Sequence, residues 1–274
     1  MSKLSQGLLS NGKLSGVGGG GLSVEDLDPF VTIVQSETLS MGYTLKTISV
    51  SNQGTKMYTA DTTMNLREYT MATKHDLSTA SLTATFPAIS AASPVDMQVS
   101  SNGKYLYYAT GSATIVYYRQ FGTAWDVSTL GVEQSKSVGS VADGGTTGVF
   151  VMPDGNSMYV TGYGGGVYHS SRSFALSTPY DPSTATQTSR DAATYTSTPS
   201  INVMPKEEYV IIGGGISYRK LSTAGDLTTG SIVSAFKFDS SGVSGRKYSD
   251  DYLYMYFVNG TAISKCDTSR VGGI

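Results

Sequence analysis

The chain contains a single cysteine, Cys266, among its 274 residues. One thiol cannot form an internal disulfide, and it cannot assemble a cysteine-based metal site. Charged residues make up only 15% of the chain, and the net charge of −2 includes no basic excess that would attract nucleic acid. No run approaches the roughly 18 consecutive apolar residues of a membrane helix. These shortages exclude a disulfide scaffold and argue against nucleic-acid binding and membrane insertion.

The N-terminal segment, residues 1–29, lacks the continuous apolar stretch of a secretory signal. We therefore expect synthesis in a cytoplasm without export by that route. Its Gly/Ser/Leu-rich composition predicts an extended arm that orders against a partner, where glycine allows close backbone approach. The partners would be other proteins of an assembly or copies of the chain itself. The expected anchoring side chains are Leu4, Leu8, Leu9 and Leu14.

Small polar and aromatic residues replace the missing charges. Ser and Thr together supply 71 residues, Gly supplies 32 and Tyr supplies 19. This composition disfavours long helices and suits short strands joined by tight turns. The sequence therefore predicts an all-β fold.

An eight-residue motif recurs along the chain at intervals of about 50 residues. It reads SNQGTKMY at 51–58, SSNGKYLY at 100–107, MPDGNSMY at 152–159, MPKEEYVI at 204–211 and, more weakly, KYSDDYLY at 247–254. Each copy lies between two short apolar runs, and two further strand-like segments follow it. Four strands in a unit of this length are typical of a β-propeller blade. We predict a single five-bladed β-propeller over residues 30–274.

The fifth unit stops before its fourth strand, near residue 266. The segment 30–40 resembles the fourth strands of the other units, and we expect residues 31 to about 36 to complete the last blade. Closing the ring in this way would remove two exposed sheet edges.

A second motif keeps step with the first and carries an aspartate, as HDLSTA at 75–80, WDVST at 125–129, YDPSTA at 180–185 and GDLTTG at 225–230. Four equivalent aspartates are poor candidates for one active site, because a ring separates them. We expect each to form an Asx turn with the backbone.

The residue before this aspartate varies, and three of its four versions are aromatic or imidazole rings. His75, Trp125 and Tyr180 are candidate glycan-stacking positions if they are exposed. The alternative is that these rings pack over a neighbouring blade and seal the turn.

Catalytic chemistry has little support in the sequence. The two histidines, His75 and His169, lie in unrelated parts of the repeat, so no metal pair is expected, and no cofactor motif is present. A propeller glycosidase needs paired carboxylates near the central channel, roughly 5–10 Å apart. The innermost strands offer only Asp96, with Lys46 and Arg246 expected to approach the channel. A non-enzymatic protein is therefore favoured.

The segment 152–188, MPDGNSMYVTGYGGGVYHSSRSFALSTPYDPSTATQT, resembles a repeat of β-propeller proteins of bacteriophage virions, especially tail and fibre components. It is also similar to repeats of some bacterial surface proteins. The resemblance extends over about 46–270 and is weakest where Lys206 and Glu207 replace the Asp-Gly turn and where the fifth unit lacks the aspartate motif.

The resemblance implies a structural or host-contact role in a virion and supplies no functional residues. The leading hypothesis is a non-enzymatic virion protein whose arm docks on the particle and whose propeller is a spacer or host-contact module, in a tail or fibre rather than as capsid decoration. A carbohydrate-binding propeller of a cell surface is the alternative, and a glycoside hydrolase is less favoured.

Overall fold

The computed structural model describes residues 39–87, 94–139, 145–163, 169–191, 201–203, 209–212, 216–236, 243–252 and 254–267. The elements within these ranges are β-strands and short 3-10 helices. The strands are β1 Leu39–Ser40, β2 Leu45–Ser51, β3 Lys56–Asp61, β4 Leu66–Met71, β5 Ala80–Phe86, β6 Asp96–Val99, β7 Tyr105–Ala109, β8 Ile115–Gln120, β9 Gln134–Ser137, β10 Thr146–Val151, β11 Ser157–Tyr163, β12 His169–Leu176, β13 Ala185–Asp191, β14 Ile201–Val203, β15 Tyr209–Ile212, β16 Ile216–Leu221, β17 Gly230–Phe236, β18 Val243–Tyr248, β19 Tyr254–Asn259 and β20 Ala262–Asp267.

The strands form antiparallel sheets of four strands each. The first sheet is β2-β3-β4-β5, the second β6-β7-β8-β9, the third β10-β11-β12-β13 and the fourth β14-β15-β16-β17. The fifth sheet has the order β18-β19-β20-β1. Each of the first four sheets is a meander that follows chain order, as the repeat predicts. The fold is an all-β propeller, and that prediction is confirmed.

The first strand of each sheet faces the first strand of the next. Strand β2 contacts β6, β6 contacts β10, β10 contacts β14, and β18 contacts β2. We call these first strands the inner strands. Their side chains point alternately to two sides, so that in β2 Ile48 and Val50 enter the core while Thr47 and Ser49 face the neighbouring inner strand. The Thr47 and Ser49 hydroxyls accept hydrogen bonds from the backbone N–H groups of Met97 and Val99 at 3.2 and 2.9 Å. Side chains thus connect inner strands that do not pair as a sheet.

Apolar cores fill the spaces between consecutive sheets. One cluster joins the first and second sheets, another the second and third, and another the fifth and first. A fourth cluster joins the third, fourth and fifth sheets. Neighbouring sheets cover both faces of the inner strands, and β2 and β10 are therefore buried along almost their whole length.

The fifth sheet is completed by the N-terminal part of the chain. Strand β1 pairs antiparallel with β20, with Leu39 opposite Ile263 and Ser40 opposite Ala262. The predicted closing strand at 31–36 lies outside the described residues, and the pairing that the structure shows is at Leu39–Ser40. The arm at 1–29, with Leu4, Leu8, Leu9 and Leu14, also lies outside the described residues.

The fifth copy of the first motif lies two residues beyond its predicted place. Strand pairing puts Tyr256 opposite Lys247, as Tyr58 lies opposite Ser49 in the first sheet. The motif is therefore SDDYLYMY at 249–256, in which Tyr252, at φ 59°, occupies the place of Gly54. The prediction KYSDDYLY at 247–254 was wrong because Leu253-Tyr254 imitates the aromatic ending that Met255-Tyr256 provides two residues later.

The aspartate motif forms the same turn in four sheets. Each aspartate caps a 3-10 helix and accepts a hydrogen bond from the backbone N–H two residues later. The four capping residues are Asp76, Asp126, Asp181 and Asp226. The predicted Asx turns are confirmed, and these carboxylates have a structural task.

The residue before each aspartate has a left-handed backbone, with φ 62° at Trp125 and 69° at Tyr180. In the three copies that have a ring at this position, the ring lies against a glycine of the first hairpin turn in the same sheet. A Cβ atom on Gly103 would overlap the Trp125 ring, and one on Gly155 would come within 2.6 Å of the Tyr180 ring. The backbone fixes the same contact, because Trp125 N–H donates to the Gly103 carbonyl at 2.9 Å.

This packing predicts different effects for alanine at two glycines with positive φ. Gly103→Ala adds a clash with the Trp125 ring to the left-handed strain, whereas Gly260, at φ 60°, has open space around its Cβ position. We expect Gly260→Ala to lower the free energy of unfolding by about 1–2 kcal/mol. Gly103→Ala should lower it by roughly 1–3 kcal/mol more, because overpacking is added. Urea denaturation of both variants measures the difference, and equal losses would show that the ring is not seated on Gly103.

Candidate functional site

A buried ion pair occupies the centre of the inner strands. Lys247 on β18 and Asp96 on β6 are each 1% exposed, and Lys247 Nζ lies 2.8 Å from Asp96 Oδ2. The same ammonium group donates to the backbone carbonyl of Val149 on β10 and, at 3.4 Å, to that of Ile201 on β14. One side chain thus connects β18 to three other inner strands.

The Asp96 carboxylate is fully engaged in this arrangement. Oδ2 also accepts the Val149 N–H and Oδ1 accepts the Met97 N–H, both at 3.0 Å. Burial raises the pKa of Asp96 and lowers that of Lys247, while their mutual attraction opposes both shifts. A catalytic acid needs access to substrate, and this carboxylate instead neutralises a buried lysine. The geometry gives no support to the glycosidase hypothesis.

The cation at the centre differs from the two that the sequence suggested, Lys46 and Arg246. Lys46 is only half-buried at the start of β2. Arg246 is 5% exposed, and burial lowers its pKa. It is the next residue along β18, Lys247, whose ammonium group reaches Asp96.

Because the sequence-based alignment placed the fifth copy of the motif two residues too early, it did not indicate the role of Lys247. In the corrected alignment this lysine shares a column with Ser49, Gln98 and Asn202, whose side chains also bond to neighbouring inner strands. The third sheet has Phe150 in this column, so the position connects neighbouring inner strands in the other four sheets.

The three candidate glycan-stacking residues lie in the seams between sheets. His75 is 5% exposed, whereas Trp125 and Tyr180 are partly buried against the cores beside their own sheets. Tyrosines of the preceding sheet donate to their carbonyls, Tyr58 to Trp125 at 2.9 Å and Tyr107 to Tyr180 at 2.6 Å. These hydroxyl groups hold the two turns against the preceding sheet, an arrangement that suits the alternative interpretation in which the rings seal the turn. A stacking role stays a prediction for the exposed part of Trp125 and Tyr180.

The seam between the fifth and first sheets has a polar cluster of its own. His75 Nε2 lies 2.7 Å from Asp251 Oδ2, and Nδ1 lies 2.9 Å from the Tyr256 hydroxyl. The neighbouring Asp250 accepts the Gln53 N–H at 3.1 Å. Burial raises the pKa of Asp250 to about 6, and the nearby Asp251 carboxylate adds to this increase. Residues of the last sheet thus hold the first sheet through two adjacent carboxylates.

A groove of about 450 Å³ opens between the first and second sheets. Its lining residues are Asn52, Lys56, Glu68, Thr83, Ala84, Ala124, Trp125, Asp126 and Ser128. Trp125 is the only tryptophan in the chain. Lys56 pairs with Glu68, which also accepts the Val127 N–H at 3.0 Å. An aromatic ring, hydroxyl groups and charges of both signs therefore share one surface.

The next seam differs at the equivalent positions. Tyr105 takes the place of Lys56, and Tyr118 takes that of Glu68, since Tyr107 pairs with Tyr118 as Tyr58 pairs with Glu68. Tyr118 is 4% exposed, and Tyr105 packs against the same core. The sequence offered this signal, because the repeat places charged residues in one copy where the next copy has rings.

Clusters of metal-ligating side chains are absent from the described ranges. No three His, Cys, Asp or Glu side chains are grouped there so that they could hold a metal ion. No helix in the part of the chain that the structure describes has the length and apolar character to span a membrane.

No protein-family model matches the chain, and no curated protein sequence is similar to it. Among solved structures, it is similar to a candidate 6-phosphogluconolactonase from Bacteroides uniformis ATCC 8492, with 17% identity, a TM-score of 0.50, and coverage of 70% of this chain and 55% of that chain. A chain of the Mitotic Checkpoint Complex matches at 12% identity and TM-score 0.47, covering 82% and 64% respectively. The Neurospora crassa Pan2 WD40 domain matches at 10% identity with a TM-score of 0.44, and the match covers 82% of this chain and 63% of that domain's chain.

The similarity to the first of these structures concerns the fold alone. The chain spans 55% of the length of the first of these structures, and an identity of 17% does not transfer an activity.

Lys247→Met tests the central ion pair. This variant leaves the Asp96 carboxylate buried without its cation, and we expect the free energy of unfolding to fall by about 3–5 kcal/mol. The double variant Lys247→Met/Asp96→Leu removes both charges and should recover most of that loss. Urea denaturation at neutral pH measures both. A single variant as stable as the native chain would contradict the central role of the pair.

Asp250→Asn tests the seam between the fifth and first sheets. Because the folded-state pKa of Asp250 is raised to about 6, its contribution to stability is present below the unfolded pKa of about 4 and is lost as pH rises through 6. We expect the native chain to lose on the order of 1 kcal/mol relative to Asp250→Asn between pH 4 and pH 7. Unfolding free energies at several pH values provide the measurement. Parallel curves for the two proteins would refute the raised pKa.

Proposed function

We propose that the chain is a non-enzymatic structural protein of a bacteriophage virion, with its arm docked on the particle and its propeller displayed as a spacer or host-contact module. The observation that carries the non-enzymatic part is the Lys247–Asp96 pair. The carboxylate that a channel hydrolase would use is 1% exposed and is held by a lysine and two backbone N–H groups. The chemistry at the centre is therefore committed to holding strands together.

The proposal includes one ring of five blades closed by the N-terminal strand. Support comes from the inner strands, because Lys247 on β18 bonds to groups on β6, β10 and β14. The seam from β14 to β18 is also bridged, since Asn202 Oδ1 accepts the Tyr248 N–H at 3.2 Å. The strand β1 then covers the outer edge of the fifth sheet at its start. A closed ring suits a displayed module, because it has few open edges that could pair with other chains.

The virion part is supported by the resemblance of residues 152–188 to the repeat of virion propellers. A tail or fibre position is favoured over capsid decoration on the same ground. The arm at 1–29 would provide the attachment, through its leucines, to other virion proteins or to copies of the chain. The lectin-like alternative is favoured by the groove beside Trp125, and the two functions are compatible in a host-contact module.

The solution mass of the full chain, compared with a version that begins at Asp28, tests the docking role of the arm. The shortened version keeps every described residue, so its propeller should remain folded and serves as the control. We expect the full chain to form defined oligomers or to bind particles, while the shortened version stays a monomer in sedimentation analysis. Two identical monomers that both fail to bind particles would count against the virion proposal.

A further inference from the structure

We propose that the groove between the first and second sheets binds an uncharged saccharide chain, with Trp125 as its aromatic platform. The inference deepens the host-contact part of the proposed function and rests on that function only for its biological setting. The binding itself follows from four features of the groove: a fixed ring, a set of charges that opposes anions, a departure from the repeat, and a suitable size.

The Trp125 ring is held rigidly before any ligand arrives. Its inner part lies over Gly103, its backbone N–H bonds to the Gly103 carbonyl, and its own carbonyl accepts the Tyr58 hydroxyl. Trp125 is one of the residues that line the groove, and it is partly buried in the core between the sheets. A rigid aromatic surface loses little conformational entropy on binding, which favours stacking on the apolar face of a sugar ring.

The charges in the groove disfavour an anionic ligand and leave polar groups for a polyhydroxylated one. Lys56 is the cation, and Glu68 and Asp126 are the anions. Lys56 and Glu68 neutralise one another, and Glu68 is only 4% exposed. The Asp126 carboxylate is then the remaining charge, and it would repel an anionic ligand. Sugar hydroxyls, which both donate and accept, can use these groups together with Ser128.

The polar lining arises where the first sheet departs from the repeat. Lys56 and Glu68 stand where the second sheet has Tyr105 and Tyr118. Glu68 has a structural reason to be present, because it accepts the Val127 N–H. At the corresponding turn of the third sheet, Pro182 has no N–H to offer. The first sheet thus has two aliphatic polar side chains where the second sheet has two tyrosine rings, and this difference leaves room beside Trp125.

The size of the groove fits a small oligosaccharide. About 450 Å³ lies within the range of roughly 300–1,000 Å³ that is usual for sites that bind small molecules. One glycan-binding site per chain is therefore proposed, in place of the equivalent sites at His75 and Tyr180 that the repeat suggested. At those two positions the polar atoms of the side chain are engaged, since His75 Nε2 bonds to Asp251 and the Tyr180 hydroxyl donates to the Pro153 carbonyl.

The full chain offers its own reporter, because Trp125 is its only tryptophan. Fluorescence titration with cellohexaose, chitohexaose and mannohexaose tests neutral sugars, and oligogalacturonate tests an anionic chain of similar length. We expect at least one neutral hexasaccharide to change the Trp125 emission saturably at micromolar to millimolar concentration. No saturable change with any of the three, or tighter binding of oligogalacturonate, overturns the proposal.

A matched pair of variants locates the site. Ala124→Lys fills the groove with a side chain that the repeat tolerates, since Lys74 occupies the same place before His75. Ala224→Lys adds the same charge at the equivalent turn of the fourth sheet. We expect Ala124→Lys to weaken binding at least about tenfold and Ala224→Lys to change it less than about twofold, with both melting near the native chain. Equal affinities of the two variants would place the sugar elsewhere and overturn the proposal.

This outcome is separable from the arm experiment. If the chain binds sugar but its arm mediates neither oligomers nor particle binding, the saccharide site is supported and particle docking is refuted. If no sugar changes the Trp125 emission but the arm mediates oligomers or particle binding, the virion proposal stands and the saccharide site is refuted.

Discussion

The structure depends on how the inner strands satisfy their backbone groups. Each sheet presents the edge of its first strand to the next sheet, and neighbouring inner strands do not continue one hydrogen-bonded ladder. Their buried N–H and C=O groups still require partners, because an unpaired buried polar group costs about 1–3 kcal/mol. Polar side chains on alternate positions supply these partners. Thr47 and Ser49 do so for the second sheet, and Gln98 accepts the Val151 N–H and donates to its carbonyl in the third.

Lys247 is the extreme case of this pattern. It sits in the same column as Ser49, Gln98 and Asn202, but its length lets it reach strands beyond its immediate neighbour. A buried ammonium group needs a counter-charge, and Asp96 provides it. The two residues are therefore required together, and their separation in sequence explains why neither is interpretable alone. Asp96 looks like half of a catalytic pair until its partner is known.

Much of the fold was predictable because the repeat reports it four times over. The inner apolar pairs, the turn glycines and the capping aspartates each recur, so single deviations such as Lys206 do not obscure the period. The fifth unit was less predictable, because its turn has Tyr252 where three others have glycine and its aromatic ending is doubled. The partners across the ring, Lys247 with Asp96 and His75 with Asp251, could not be predicted from local patterns. These contacts join residues from different sheets, and only the packing of those sheets brings them together.

The candidate groove follows from the same logic of repetition. A repeat makes each seam alike, so a residue that serves only the seam is expected to recur, as Tyr58 and Tyr107 do. Lys56 and Glu68 do not recur in the next sheet, yet Glu68 answers a need that the third sheet lacks, because Val127 has an N–H where Pro182 has none. The Val127 N–H therefore favours a carboxylate at Glu68 in place of the ring of Tyr118. That buried charge in turn needs a cation, which Lys56 supplies. Lys247 is committed to holding inner strands together, whereas the groove beside Trp125 lies where the first seam departs from the second.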